Sequence, residues 1–80
     1  MKLIIQDRAY KDLKKIDKTQ AKIIINEIKR LINYPNISNI KKLKNHTPEY
    51  RLRIRNYRIL FDIEDDTIII SNIKHRKEAY

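Results

Sequence analysis

Residues 50–64 read YRLRIRNYRILFDIE, and apolar side chains alternate with charged ones along most of this segment. A period of two is typical of β-strands that bury one face and leave the other in water. The pattern predicts two strands joined by a two-residue hairpin loop at Arg55 and Asn56. In that register Ile54 and Tyr57 face each other on the apolar side of the sheet.

Three arginines share the charged face of the predicted hairpin. Arg53 lies directly opposite Arg58, and Arg51 follows on the same face. Like charges at a cross-strand position destabilise a sheet by about 0.2–1 kcal/mol, so this crowding favours a bound anion. Guanidinium groups bind phosphate bidentately, which makes the face a candidate site for a phosphodiester. The alternative is a solvated face whose cations only keep an edge strand soluble.

A short strand and two helices are predicted before this hairpin. Residues 3–5 are apolar and form the strand, and Asp7 is a candidate N-cap for the first helix. The second helix begins near Asp17 or Thr19 and ends before Pro35. The short connection predicts an antiparallel helical hairpin. The apolar stripes of the two helices are Ala9, Tyr10, Leu13 and Ile16, then Ala21, Ile24, Ile25, Ile28, Leu31 and Ile32.

The rest of the chain completes one α+β arrangement. Residues 36–48 have no periodicity and are predicted to form a basic loop, whereas residues 67–70, after an acidic turn, form a third late strand that is buried on both faces. The polar residues 71–80 follow as a tail. The predicted order is an N-terminal strand, a helical hairpin and a mainly antiparallel sheet of three further strands, with the partner of the first strand left open. We expect residues 1–80 to form a single domain.

Composition and charge limit the function classes. The 80 residues contain 19 Lys+Arg and 10 Asp+Glu, which gives a formal net charge of +9 and predicts a polyanionic partner. The absence of cysteine excludes disulfides and thiolate metal sites. Because the apolar runs are far shorter than a membrane span, we expect no membrane contact and a cytoplasmic location.

Three segments resemble the RelE/ParE toxin superfamily of bacteria and archaea. They are YRLRI at residues 50–54, YRILF at residues 57–61 and IKHRKEAY at residues 73–80. The resemblance spans the chain and is to the RelE branch, whose members are endoribonucleases of type II toxin–antitoxin systems. It implies a RelE-like microbial RNase fold.

The resemblance also implies an activity and partners. The activity would be ribosome-dependent cleavage of mRNA in the ribosomal A site, by attack of a 2′-OH on the neighbouring phosphate, which inhibits translation. No metal and no cofactor are expected. The implied partners are the ribosome, mRNA and a cognate acidic antitoxin, with the toxin alone a monomer and the antitoxin complex a higher-order assembly.

The same resemblance assigns roles to individual residues. Arg58 and Arg76 match the arginines that stabilise charge on phosphate, and Arg53 stands at a basic position of the preceding strand. Tyr80 matches a terminal tyrosine that acts as a base or stacks on the substrate. Since a guanidinium is a poor proton donor, His75 is the candidate general acid or base.

A wider set of cations is predicted to bind RNA. The predicted RNA-binding residues are Lys41, Lys42, Lys44, Arg51, Arg53, Arg55 and Lys74.

His46 is expected to be a surface residue without a catalytic role, and no metal site is expected.

Two other functions remain open from the sequence. A ParE-like protein of the same fold would bind DNA gyrase and cleave no RNA. A noncatalytic nucleic-acid-binding module would need only the basic charge.

Overall fold

The computed structural model describes residues 2–33 and 40–77. The α+β class, with an N-terminal strand and a helical hairpin before the antiparallel strands, is confirmed. The elements are β1 (Lys2–Ile5), α1 (Asp7–Lys14), α2 (Lys18–Arg30), a 3-10 helix (Leu31–Asn33), β2 (Ile40–Lys42), β3 (Tyr50–Ile54), β4 (Tyr57–Glu64) and β5 (Thr67–His75).

The strands of the described residues form one sheet in the order β1-β5-β4-β3-β2. β1 lies parallel to β5, which identifies the partner of the first strand, and the other neighbours are antiparallel. β2 was not predicted, because its three residues lie within the basic segment and are too few to show a period. It pairs with the edge of β3, with Ile40 opposite Leu52.

The two hairpin turns carry residues with positive φ. Ile54 pairs with Tyr57, which confirms the two-residue loop, and Arg55 in that loop has φ 52°. In the β4–β5 turn, Asp65 and Asp66 have φ 46° and 63°. Consecutive left-handed residues match the right-handed twist of the flanking strands, and aspartate tolerates this conformation better than most residues.

The two helices begin differently. Asp17 caps α2, since its Oδ2 accepts hydrogen bonds from the N–H groups of Thr19 at 3.1 Å and Gln20 at 3.4 Å. The prediction that Asp7 is the N-cap of α1 is wrong: Gln6 holds that position without a side-chain bond, and Asp7 lies in the first turn. Its negative charge there still interacts favourably with the helix dipole. In the described ranges, neither helix is long and apolar enough to cross a bilayer.

The apolar core lies between the helices and one face of the sheet. Of the predicted stripe residues, Tyr10 and Ile32 are 52% and 45% exposed, whereas Ile16, Ala21 and Ile25 are partly buried against the core. Ile32 follows the end of α2, where the tighter 3-10 turn shifts the phase of the stripe. The core cluster consists of Ala9, Leu13, Ile24, Ile28, Leu31, Leu52, Ile54, Ile59, Phe61, Ile68, Ile70 and Ile73.

The side chain of Asp12 on α1 binds the part of β5 that has no neighbouring strand among the described residues. The pairing of β1 with β5 ends at Ile70, so the following part of that edge has no strand partner among the described residues. Asp12 accepts a hydrogen bond from the Ile73 N–H there through Oδ2, at 2.9 Å in a partly buried position. This bond links α1 to the end of β5.

We predict that Asp12→Ala destabilises the protein by about 1–3 kcal/mol, because it leaves the partly buried Ile73 N–H without an acceptor. Asp12→Asn is the matched control, since its amide oxygen can still accept this bond. Urea unfolding followed by circular dichroism measures both changes. An equal loss in the two variants would show that the charge of Asp12, and not its hydrogen bond, stabilises the fold.

Candidate nucleic-acid interface

The sheet face opposite the helices carries two rows of cations. In one row Arg53 lies opposite Arg58, as predicted, and Arg58 lies opposite Lys74 on β5. In the next row Lys41 of β2 lies opposite Arg51. Directly opposed residues of antiparallel strands point to the same side of the sheet, so five positive side chains share this face.

Part of this face forms a cavity of about 240 Å³. Its floor includes Leu60, which is only 9% exposed but lies outside the main core cluster. Three strands and the segment between β2 and β3 contribute to its walls. The lining residues are Leu43, His46, Arg51, Arg58, Leu60 and Lys74.

The guanidinium of Arg51 is held partly inside the protein. Its Nε atom is buried and has no hydrogen-bond acceptor among the described residues. A buried donor without a partner costs about 1–3 kcal/mol, so this atom lowers the stability of the cationic face. The positive charges of Arg51, Arg58 and Lys74 around the cavity favour a bound anion.

The segment from residue 43 to 49 is fixed over this face by hydrogen bonds that its backbone N–H groups donate. The Leu43 N–H donates to the Glu49 carbonyl at 2.6 Å, and the Glu49 N–H donates to Asp62 Oδ1 on β4 at 2.7 Å. His46 Nδ1 lies 2.8 Å from the carbonyl oxygen of Pro48. The segment therefore holds one wall of the cavity in a defined position.

Comparison with known proteins identifies the family of the chain. The family model described as "ParE toxin of type II toxin-antitoxin system, parDE" matches residues 3–80. The curated protein Toxin RelE3 of Methanocaldococcus jannaschii is 34% identical over 84 residues, which cover 100% of this chain and 96% of the relative. The chain belongs to the RelE/ParE toxin superfamily. It is a RelE-like toxin.

Solved structures extend the likeness to three dimensions. The RelB–RelE antitoxin–toxin complex from Methanococcus jannaschii matches this toxin with a TM-score of 0.75 and 32% identity, over 96% of this chain and 94% of that chain. The RelBE2 complex from Mycobacterium tuberculosis matches with a TM-score of 0.78 and 20% identity, over 94% and 96% of the two chains. The second match supports the fold alone.

Two of the predicted catalytic arginines lie away from the cavity. Arg76 is exposed, and its backbone N–H donates to the Asn56 carbonyl at 2.6 Å, which places it beside the β3–β4 hairpin loop. Arg53 lines a separate hollow of about 380 Å³ with Arg55 and residues of α2. Both arginines lie near the hairpin end of the sheet.

The structure does not bring His75 to the arginine face of the toxin. His75 pairs with Tyr57 on the helix side of the sheet, and the two rings meet edge to face with centroids 5.1 Å apart. Its Nδ1 accepts a hydrogen bond from the Lys77 N–H at 3.2 Å. The predicted tail is in fact strand as far as His75, so neighbouring residues there point to opposite faces. Tyr80 lies outside the described residues.

The remaining predicted RNA-binding lysines surround the segment between β2 and β3. Lys42 Nζ lies 3.9 Å from Glu49 Oε2, and Lys44 borders an open hollow of about 510 Å³. His46 lines both this hollow and the arginine cavity. It is exposed, as predicted, but its position beside the arginines was not expected. Nothing in the periodicity of the sequence places it there.

We predict that Lys41→Glu stabilises the toxin by about 0.2–1 kcal/mol, because it replaces a like-charge pair with an opposite-charge pair across from Arg51. Lys41→Gln, the neutral control, should give a smaller gain. Urea unfolding at low and high salt measures the effect, which salt should reduce. A gain that is the same for both variants and insensitive to salt would contradict the electrostatic explanation.

Proposed function

We propose that this toxin is a ribosome-dependent endoribonuclease that cuts mRNA in the ribosomal A site and so inhibits translation. The observation that carries the proposal is the cavity in which Arg51, Arg58 and Lys74 meet on one face of the sheet. A phosphodiester supplies the negative charge that this cavity lacks. Membership of the RelE branch supports the choice of mRNA over other polyanions.

The reaction proposed is attack of a 2′-OH on the adjacent phosphorus, which yields a 2′,3′-cyclic phosphate and a 5′-OH. Its transition state carries extra negative charge on the phosphate oxygens, and preorganised donors stabilise that charge. Arg58 and Arg51 are held for this role on the two paired strands β4 and β3. Arg53 and Arg76 are proposed to hold the flanking RNA. No step in this chemistry requires a metal or a cofactor.

The surrounding cations are proposed to bind RNA phosphates without reading sequence. Lys41 shares the face of Arg51, Lys42 and Lys44 border the neighbouring hollow, and Arg55 lies in the β3–β4 hairpin loop. Contacts of this kind release counterions, so the affinity for the programmed ribosome should fall steeply with salt.

An acidic antitoxin is the proposed protein partner. The formal charge of +9 favours an acidic chain, and relatives of this toxin were solved as complexes with RelB. A flexible acidic segment can cover a basic face and order as it binds. We propose that the toxin alone is a cytoplasmic monomer and that the antitoxin joins it in a larger assembly.

The test compares two targets. Purified toxin is added to a translation extract and the mRNA ends are mapped, while supercoiling by DNA gyrase is measured in parallel. We expect cuts within the A-site codon that end in cyclic phosphates and appear only with ribosomes. Intact mRNA with blocked supercoiling would assign a ParE-like function, which the description of the family model makes the relevant alternative. Binding without either effect would indicate a noncatalytic module.

We predict that Arg58→Ala lowers the cleavage rate by about 10²–10³-fold, because it removes one donor to the transition-state phosphate. Arg76→Ala is expected to reduce cleavage in the same direction. Lys29→Ala is the matched control: it removes one positive charge from an exposed position on α2, away from the cavity. The measurement is the rate of A-site cleavage on stalled ribosomes.

Circular dichroism of the same variants separates catalysis from folding. Arg58→Ala should keep the spectrum and unfolding transition of a folded protein. Undiminished cleavage by both arginine variants would remove the roles assigned to these side chains.

A further inference from the structure

We infer that His46 is the general base that takes the proton from the attacking 2′-OH. The inference rests on the proposed function, because it concerns the same cavity and the same reaction. It assigns the proton transfer to a residue on the segment between β2 and β3, not to His75.

Position is the first reason. His46 lines the arginine cavity together with Arg51 and Arg58, so a phosphate bound by these guanidiniums would have the imidazole beside it. His75 lies on the opposite face of the sheet against Tyr57. A base must come within hydrogen-bond reach of the proton that it removes, and of the two histidines only His46 shares the cavity with the arginines.

The hydrogen bond of His46 is the second reason. Nδ1 lies 2.8 Å from the Pro48 carbonyl oxygen, and because a carbonyl can only accept, Nδ1 carries the proton. In the neutral ring this leaves the lone pair on Nε2. The bond also fixes the orientation of the ring, and the segment itself is tied to β4 through Asp62. This contact therefore favours the tautomer in which Nε2 can accept a proton.

The other lining residues are the third reason. Arginine and lysine side chains donate hydrogen bonds but have no acceptor atom, and leucine can neither donate nor accept. Among the described residues that line the cavity, His46 is the one whose side chain has a nitrogen lone pair that can accept a proton.

Two proton transfers accompany the proposed step. Nε2 of His46 takes the 2′-OH proton as the 2′ oxygen forms its bond to phosphorus. The bond between phosphorus and the 5′ oxygen then breaks, and the leaving oxygen takes a proton from the ammonium of Lys74, which lines the same cavity. Exchange of protons with water returns both side chains to their starting states.

The step requires a neutral imidazole, so cleavage should slow as the pH falls and imidazole groups protonate. Several charged groups face His46 and belong to the same profile. They are Lys42, Lys44 and Glu49 around the neighbouring hollow and Arg51, Arg58 and Lys74 around the cavity.

The test uses two variants of the full chain on stalled ribosomes. His46→Asn keeps an amide N–H that can donate to the Pro48 carbonyl but removes the Nε2 lone pair. We expect its cleavage rate to fall by about 10²–10⁴-fold, the range of general acid–base catalysis, and to lose the slowing at low pH that the wild-type toxin shows. His46→Ala should fall similarly and recover in part when free imidazole is added. Lys29→Ala serves as control.

Each outcome decides a different question. Wild-type toxin that cuts no mRNA on ribosomes overturns the proposed function, and this inference with it. If wild-type toxin cuts and His46→Asn cuts equally fast with an unchanged pH profile, the inference alone is wrong. Loss of the pH dependence in His75→Asn instead would assign the base to His75. Rescue of His46→Ala by imidazole supports a chemical role over a structural one.

Discussion

The register of the β3–β4 hairpin determines both the core and the cationic face. Because side chains alternate along a strand, a slip of one residue would turn Ile59 toward water and Arg58 toward the helices. The pairing of Ile54 with Tyr57 prevents this by closing the loop in two residues, with Arg55 at φ 52°. β4 lies between β3 and β5, so its alternation sets the faces of its neighbours. The apolar core and the arginine cavity are two consequences of one register.

The cationic face makes the toxin less stable than its core would allow. A chain of this size buries only about 60% of the surface that its unfolded form exposes, so its stability has a small margin. Opposed pairs such as Lys41 and Arg51 reduce that margin through repulsion, and the buried Arg51 Nε reduces it further. A bound polyanion relieves the repulsion. The same charges that favour RNA would therefore favour an acidic protein that competes with it.

Much of the fold could be predicted from the sequence, because the strongest patterns are local. Two-residue periodicity identified β3 and β4, including the opposition of Arg53 and Arg58. Patterns failed where pairing with a neighbouring strand determines the structure. β2 forms because it pairs with the edge of β3, and β5 continues through polar residues because it pairs with β4 as far as Tyr57. As a result, β2 was not predicted, and His75 was assigned to a tail and not to β5.

The position of His46 illustrates why the site was harder to predict than the fold. A strand residue inherits its face from the period of its own segment, whereas the direction of a loop residue depends on contacts that are distant in sequence. Glu49 is fixed by Asp62, which follows it by 13 residues, and His46 is fixed by a carbonyl within the loop. The arginines could thus be grouped from their spacing alone. The group proposed to move the proton enters their cavity only through the closed segment between β2 and β3.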